Sequence, residues 1–124
     1  MDFTSNAPIY LQVITDIRNR MITGELKPGD KLPSSRELAI QFSINPNTAA
    51  RVYSEMEGMG LSFTKRGIGT FVTEDEEKIR ALKAEYTSEI LEEFIRKMQK
   101  IGYGGEESME CLRKFLDGKN DLHI

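Results

Sequence analysis

No stretch of this chain approaches the roughly 18 consecutive apolar residues of a membrane-spanning helix, and no signal-peptide pattern opens it. Membrane insertion and secretion are therefore not expected. Cysteine is nearly absent: Cys111 cannot close an internal disulfide, and on an apolar-looking helix it reads as a buried or partly buried structural thiol, in keeping with the cytoplasm. Histidine is represented by His123, beside the C-terminus. With no His near Cys111, no Gly-rich phosphate loop, no carboxylate pair and no metal-ligand spacing, neither catalysis nor a cofactor nor a metal is expected. Gly67-x-Gly69 is too short for a nucleotide fingerprint, and the acidic run Glu74-Asp75-Glu76-Glu77 has no other ligand type beside it and reads as a solvated helix start.

Net positive charge is also missing, since the chain carries −3 at pH 7, but the charge is unevenly placed. Residues 1–73 hold 8 Lys/Arg against 7 Asp/Glu, giving +1, and residues 74–124 hold 9 against 13, giving −4. The acidity belongs to the second part. At 124 residues the chain suits one small domain plus an appendage.

What is present is concentrated between Pro33 and Arg51. Ser34 followed three residues later by Glu37 is a capping box, which predicts a helix start there. Asn45 followed by Pro46 is a second start, an N-cap with proline at the first helical position. Leu38, Ala39 and Phe42 give the first helix an apolar face, and Ile44 closes the turn against it. At about 100° per residue, Ala49, Val52, Tyr53 and Met56 of the second helix share one sector, leaving Asn47, Arg51 and Ser54 opposite. This pattern is that of a helix-turn-helix, and an outer face of Asn, Arg and Ser supplies the donors and acceptors that base edges and phosphates require.

After Met59-Gly60, alternating apolar residues from Leu61 to Lys65 and from Thr70 to Val72 flank Arg66-Gly67-Ile68-Gly69 and predict a β-hairpin. Lys65 and Arg66 at its tip are the tightest basic cluster in the first 73 residues. A hairpin directly after a helix-turn-helix is a wing, whose tip reaches a neighbouring groove or phosphate run.

The segments Gly24-Glu25-Leu26-Lys27-Pro28-Gly29-Asp30-Lys31-Leu32-Pro33-Ser34-Ser35-Arg36-Glu37-Leu38-Ala39, Gly58-Met59-Gly60-Leu61 and Gly67-Ile68-Gly69-Thr70-Phe71-Val72 together resemble the winged-helix domain of the GntR family of bacterial transcription regulators, over about residues 8–72. Most of that family opens its recognition helix with Ser or Thr followed by Arg, with a second Arg four positions later. This chain has Pro46 and Ala50 there, and its Asn45-Pro46-Asn47-Thr48 with Arg51 is similar to the YtrA-type subgroup, whose members carry a short helical C-terminal segment. The resemblance implies DNA contacts by Arg36, Asn45, Asn47, Thr48, Arg51, Arg66 and Gly67, to which Ser34, Ser35 and Lys65 are added as their neighbours at the first helix start and the wing tip. It also implies a repressor.

Around this motif, Pro8 to Thr23 reads as a core helix with Tyr10, Val13, Ile14, Ile17 and Met21 on one stripe and Gly24 as its stop. Lys31-Leu32 is a short extended piece able to pair with the wing. From about Asp75 to Ile101 the chain reads as one long helix whose stripe includes Ile79, Leu82, Tyr86, Ile90, Phe94 and Met98. A short last helix follows from Glu106 to about Leu116, with Met109, Leu112, Phe115 and Leu116 inward. Two helices cannot bury both stripes within the chain, which points to a second copy. The expectation is a mainly α protein with a small β-hairpin: an N-terminal winged helix-turn-helix, residues 1–73, and a two-helix C-terminal dimerisation segment, residues 74–124. Its expected partners are double-stranded DNA and its own copy, the alternative being a winged-helix adaptor that binds proteins without specific DNA binding; roughly fifty tail residues leave little room for an enclosed ligand pocket, a small ligand between subunits stays open, and no residue identifies an effector.

Overall fold

The computed structural model describes residues 7–121; His123 lies outside them. The order of elements is α1 (Ile9–Thr23), α2 (Ser35–Phe42), α3 (Pro46–Gly58), β1 (Ser62–Lys65), β2 (Gly69–Val72), α4 (Glu76–Lys100) and α5 (Gly105–Asp121). The chain divides into two compact units between Lys83 and Ala84. α4 therefore begins in the first unit and ends in the second.

The first unit is built around three helices whose apolar stripes meet. Val13, Ile14, Ile17 and Met21 of α1, Leu38, Ala39 and Phe42 of α2, and Ala49, Val52, Tyr53 and Met56 of α3 are buried together with Leu32, Leu61 and Val72. Each large aliphatic side chain removed from water here contributes about 1.5–3 kcal/mol. Tyr10, Leu26 and Ile44 pack on the edge of this core, and so do Ile79 and Leu82 from the first two turns of α4. The apolar stripe of α4 thus starts as an intramolecular contact, so Ile79 and Leu82 serve the chain's own core. The sequence pattern placed these two on the pairing stripe because their spacing continues that of Tyr86, Ile90, Phe94 and Met98.

β1 and β2 form an antiparallel hairpin in which Phe63 faces Phe71 and Lys65 faces Gly69. The extended piece before α2 joins it: Lys31 bridges to Phe71, Leu32 N–H donates to Thr70 O at 2.8 Å, and Val72 N–H donates to Asp30 O at 2.8 Å. These bonds seat the wing on the helical core.

In the second unit α5 is longer than its apolar pattern implied, running to Asp121 instead of stopping near Leu116. Apolar periodicity ends with the last apolar residue, whereas backbone hydrogen bonding continues through polar residues. The inward placement of Met109, Leu112, Phe115 and Leu116 is also corrected: all four are exposed, by 41–59%. An amphipathic helix hides its apolar face only where another surface is available to cover it.

Candidate nucleic-acid interface

The interface begins with the two helix starts. Ser34 Oγ accepts from Glu37 N–H at 3.1 Å while Ser34 N–H donates to Glu37 Oε1 at 3.0 Å, completing the capping box. These bonds to Ser34, with Lys31 a smaller influence, hold the Glu37 carboxyl below its ordinary range. The turn to α3 passes through Ser43 in a left-handed conformation, φ 55°, and is closed by Ile44 N–H donating to Ala39 O at 2.9 Å. α3 then opens with Asn45 Oδ1 accepting from Asn47 N–H at 2.8 Å and Pro46 at the first position. Tyr53, buried on the inner face of α3, donates its hydroxyl to Pro33 O at 2.5 Å. Burial, and secondarily nearby Glu37, push this phenol well above its ordinary value, so it stays a neutral donor that ties the recognition helix to the chain entering α2.

With that face anchored, Asn47, Arg51 and Ser54 lie on the exposed side of α3, and Thr48 is half-buried. The Arg51 side chain is 57% exposed, its Cζ lies 3.8 Å from the centroid of the Tyr10 ring, and its Nε lies 3.8 Å from Glu55 Oε1. Arg36 is exposed on the first turn of α2, and Ser35 beside it is half-buried.

The wing is attached to α3 by a side chain as well as by sequence. Glu57 Oε1 accepts from Thr64 N–H of β1 at 3.0 Å, fixing the hairpin against the last turn of the recognition helix. At the tip, Ile68 N–H donates to Lys65 O at 2.9 Å, closing a turn that requires Gly67 at φ 78° and leaves Arg66 and Gly67 exposed. A Cβ at Gly69, φ 150°, would stand 2.9 Å from Lys31 Cε. On one face of the hairpin Phe63 and Phe71 stack with centroids 5.6 Å apart, and the Lys65 ammonium sits 5.1 Å from the Phe71 ring centre. That ledge holds the basic tip in place. An open groove of about 360 Å³ runs between the start of α2 and the wing, lined in part by Lys31, Ser34, Ser35, Lys65, Gly67 and Ile68.

All ten residues predicted for DNA contact therefore fall in the first unit, on α2, α3 and the wing. They differ in what their side chains already do. Ser34 and Asn45 spend their side-chain oxygens on caps, whereas Arg36, Asn47, Lys65 and Arg66 present exposed groups. Three features escaped the sequence reading: Lys31 in the groove, the Glu57 tie and the Tyr10 ring under Arg51. The pairing of Lys31-Leu32 with the wing was expected and is observed, and only the place of Lys31 in the groove was not; the other two depend on how α1 and β1 lie against α3.

Among the described residues no helix is long and apolar enough to cross a membrane. A model of the bacterial regulatory proteins of the gntR family matches residues 9–72. The HTH-type transcriptional regulator YhcF of Bacillus subtilis (strain 168) is 48% identical over 116 residues, which cover 94% of this chain and 96% of YhcF. The HTH-type transcriptional repressor YtrA of the same organism is 45% identical over 75 residues, covering 60% of this chain and 58% of YtrA. Among solved structures, a GntR family transcriptional regulator from Listeria monocytogenes superposes with a TM-score of 0.85 at 37% identity, over 90% of this chain and 98% of that one. These proteins are regulators and not enzymes. The capped helix pair, the anchored wing and the match across both place this chain in the GntR family of bacterial transcription regulators, within its YtrA-type subgroup, as a DNA-binding helix-turn-helix protein.

Proposed function

We propose that this protein is a cytoplasmic repressor that binds a pseudo-palindromic operator as a homodimer. Residues 1–73 would read DNA and residues 74–124 pair the subunits, apart from Ile79 and Leu82, which pack on the core of the first unit. The observation that carries the reading is the joint presentation of Asn47 and Arg51 on the outer face of α3 and of Lys65 and Arg66 on a wing bonded to that same helix. Helix and wing so fixed meet a major groove and its flanking phosphates together. The repressor assignment is supported by the name of the relative YtrA.

Pairing is supported by the stripe beyond Tyr86. Ile90 and Leu91 are 50% and 54% exposed, and Phe94 and Met98 are only half-buried. A two-fold axis would set two recognition helices into successive major grooves about 34 Å apart, with half-sites about one helical turn apart or a small multiple. Two subunits would also double a basic footprint that is small in one.

The test is binding of the purified protein to genomic fragments and to an unrelated duplex across a salt series. Selected fragments should share a two-fold symmetric site, and neither half should bind well alone. Arg51→Ala and Asn47→Ala should each lower specific affinity by about 1–3 kcal/mol. Binding that high salt abolishes on every fragment alike, or unchanged affinity in both variants with their circular dichroism intact, would instead leave a winged-helix adaptor that binds proteins.

A further inference from the structure

Tyr10 sits on the core stripe of α1, yet its ring face is turned to a charged side chain of another helix. Arg51 Cζ stands 3.8 Å from the ring centroid. On another side of the same guanidinium, Glu55 Oε1 lies 3.8 Å from Nε, one turn further along α3. The Arg51 side chain remains 57% exposed despite both contacts. It is therefore neither free in solvent nor consumed by a buried pair.

We propose that Tyr10 is a positioning residue for DNA recognition: its ring fixes the plane of the Arg51 guanidinium so that the N–H edge of Arg51 is presented outward from the recognition helix, with Glu55 as the second restraint. The inference rests on the reading of Arg51 as a DNA contact. A guanidinium is planar and weakly hydrated, and stacking on an aromatic ring engages its face while leaving its in-plane donors available for a base edge or a phosphate. A long unrestrained side chain loses its rotamer freedom at the moment of binding, whereas here part of that ordering has already occurred on folding. Position matters more in this chain because Arg51 is the only arginine on α3. α1 would thus contribute to recognition through a residue that never touches DNA.

The experiment is a double-mutant cycle on the full chain, read as affinity for a fragment selected by the wild type and for an unrelated duplex. Tyr10→Leu should lower affinity for the selected fragment about tenfold and leave the unrelated duplex within about twofold, while Tyr10→Phe, which keeps the ring face, should bind as the wild type does. In an Arg51→Ala background Tyr10→Leu should have no further effect. Arg51→Lys keeps the charge without the plane and should lose about as much as Tyr10→Leu; should Tyr10→Leu unfold, Tyr10→Met, apolar and without a ring face, takes its place in the cycle with the same expected loss. Equal losses from Tyr10→Leu with and without Arg51, tighter binding by Tyr10→Leu, or full affinity in Arg51→Lys would each overturn the proposal. A wild type that prefers no fragment would remove the DNA reading itself, whereas a wild type weakened by Arg51→Ala but indifferent to Tyr10→Leu removes this inference alone.

Discussion

Among the described residues, fourteen apolar side chains up to Lys83 are buried in one cluster, while from Ala84 onward the only buried side chain is Ser108, whose hydroxyl donates to Gly104 O at 2.8 Å. The two regions nonetheless carry similar apolar stripes at helical spacing. In the first, three stripes converge and the wing strands close the cluster with Leu61 and Val72. In the second, two helices carry Ile90, Leu91, Met109, Leu112, Phe115 and Leu116 with 41–59% of each exposed. Amphipathic periodicity therefore predicts helices equally well in both regions, but whether the apolar face is core or docking surface depends on how many other faces the same chain can bring to it.

The strongest way to break this comparison is to charge the open stripe. Phe94→Asp combined with Ile90→Asp should abolish self-association in sedimentation and reduce operator affinity about a hundredfold or more, with the helix-turn-helix still folded, because burying carboxylates against each other in a subunit contact is prohibitive. A variant that still dimerises and binds normally would show that the stripe is no interface. Next in size is a truncation of the core. Ile17→Ala should cost about 2–5 kcal/mol in urea unfolding, whereas Leu112→Ala, measured in the charged background, should cost less than about 1 kcal/mol, since that side chain is 41% exposed and leaves no closed cavity.

Smaller effects test the first region's local devices. Ser34→Ala removes the hydroxyl of the capping box and should cost about 1 kcal/mol. The partner carboxylate adds a pH signature. Because the native state holds the Glu37 carboxyl below its ordinary range, its stabilisation is complete above the ordinary value and is lost as acid protonates it through the lowered native value. Urea midpoints of wild type and Glu37→Gln should therefore converge as pH falls from about 7 to about 3. A constant gap would contradict the bond pattern at the start of α2. Smallest is Arg66→Ala at the wing tip, which should flatten the salt dependence of DNA binding by about one unit while weakening specific and unrelated duplexes alike. Selective loss on the operator would move Arg66 from phosphate to base contact.

Much of the fold was legible because its signals are local. The Ser34–Glu37 box, Asn45-Pro46 and the Gly67 turn each act within four residues, and each appears where the sequence placed it. The angular reading of α3 succeeded because a helix interior is periodic: Ala49, Val52, Tyr53 and Met56 are all buried. Failures came where a local rule had no competing surface to consult. The end of α5 and the inward face expected of it followed from apolar spacing alone, which records where a helix is amphipathic but not how far it runs or what covers it. Ile79 and Leu82 show the converse, since nothing in their spacing separates them from Tyr86 and Ile90, yet they pack on the core.

By itself, then, the sequence determined the element order, the two helix starts, the turn chemistry of the wing and the polar outer face of α3, because caps, turns and periodicity are encoded over a few consecutive residues. Only the tertiary structure decided what those polar groups are held by. The Tyr10 ring under Arg51 spans 41 positions, Tyr53 reaches Pro33 across 20, and Glu57 meets Thr64 on another element. Such contacts arise from the packing of helices on one another and on the hairpin, whose relative placement is set by the shared core and not by any local signal. Where the shared core ends, so does that determination: among the described residues beyond Lys83, apolar side chains such as Ile90 and Leu91 stay 50% and 54% exposed.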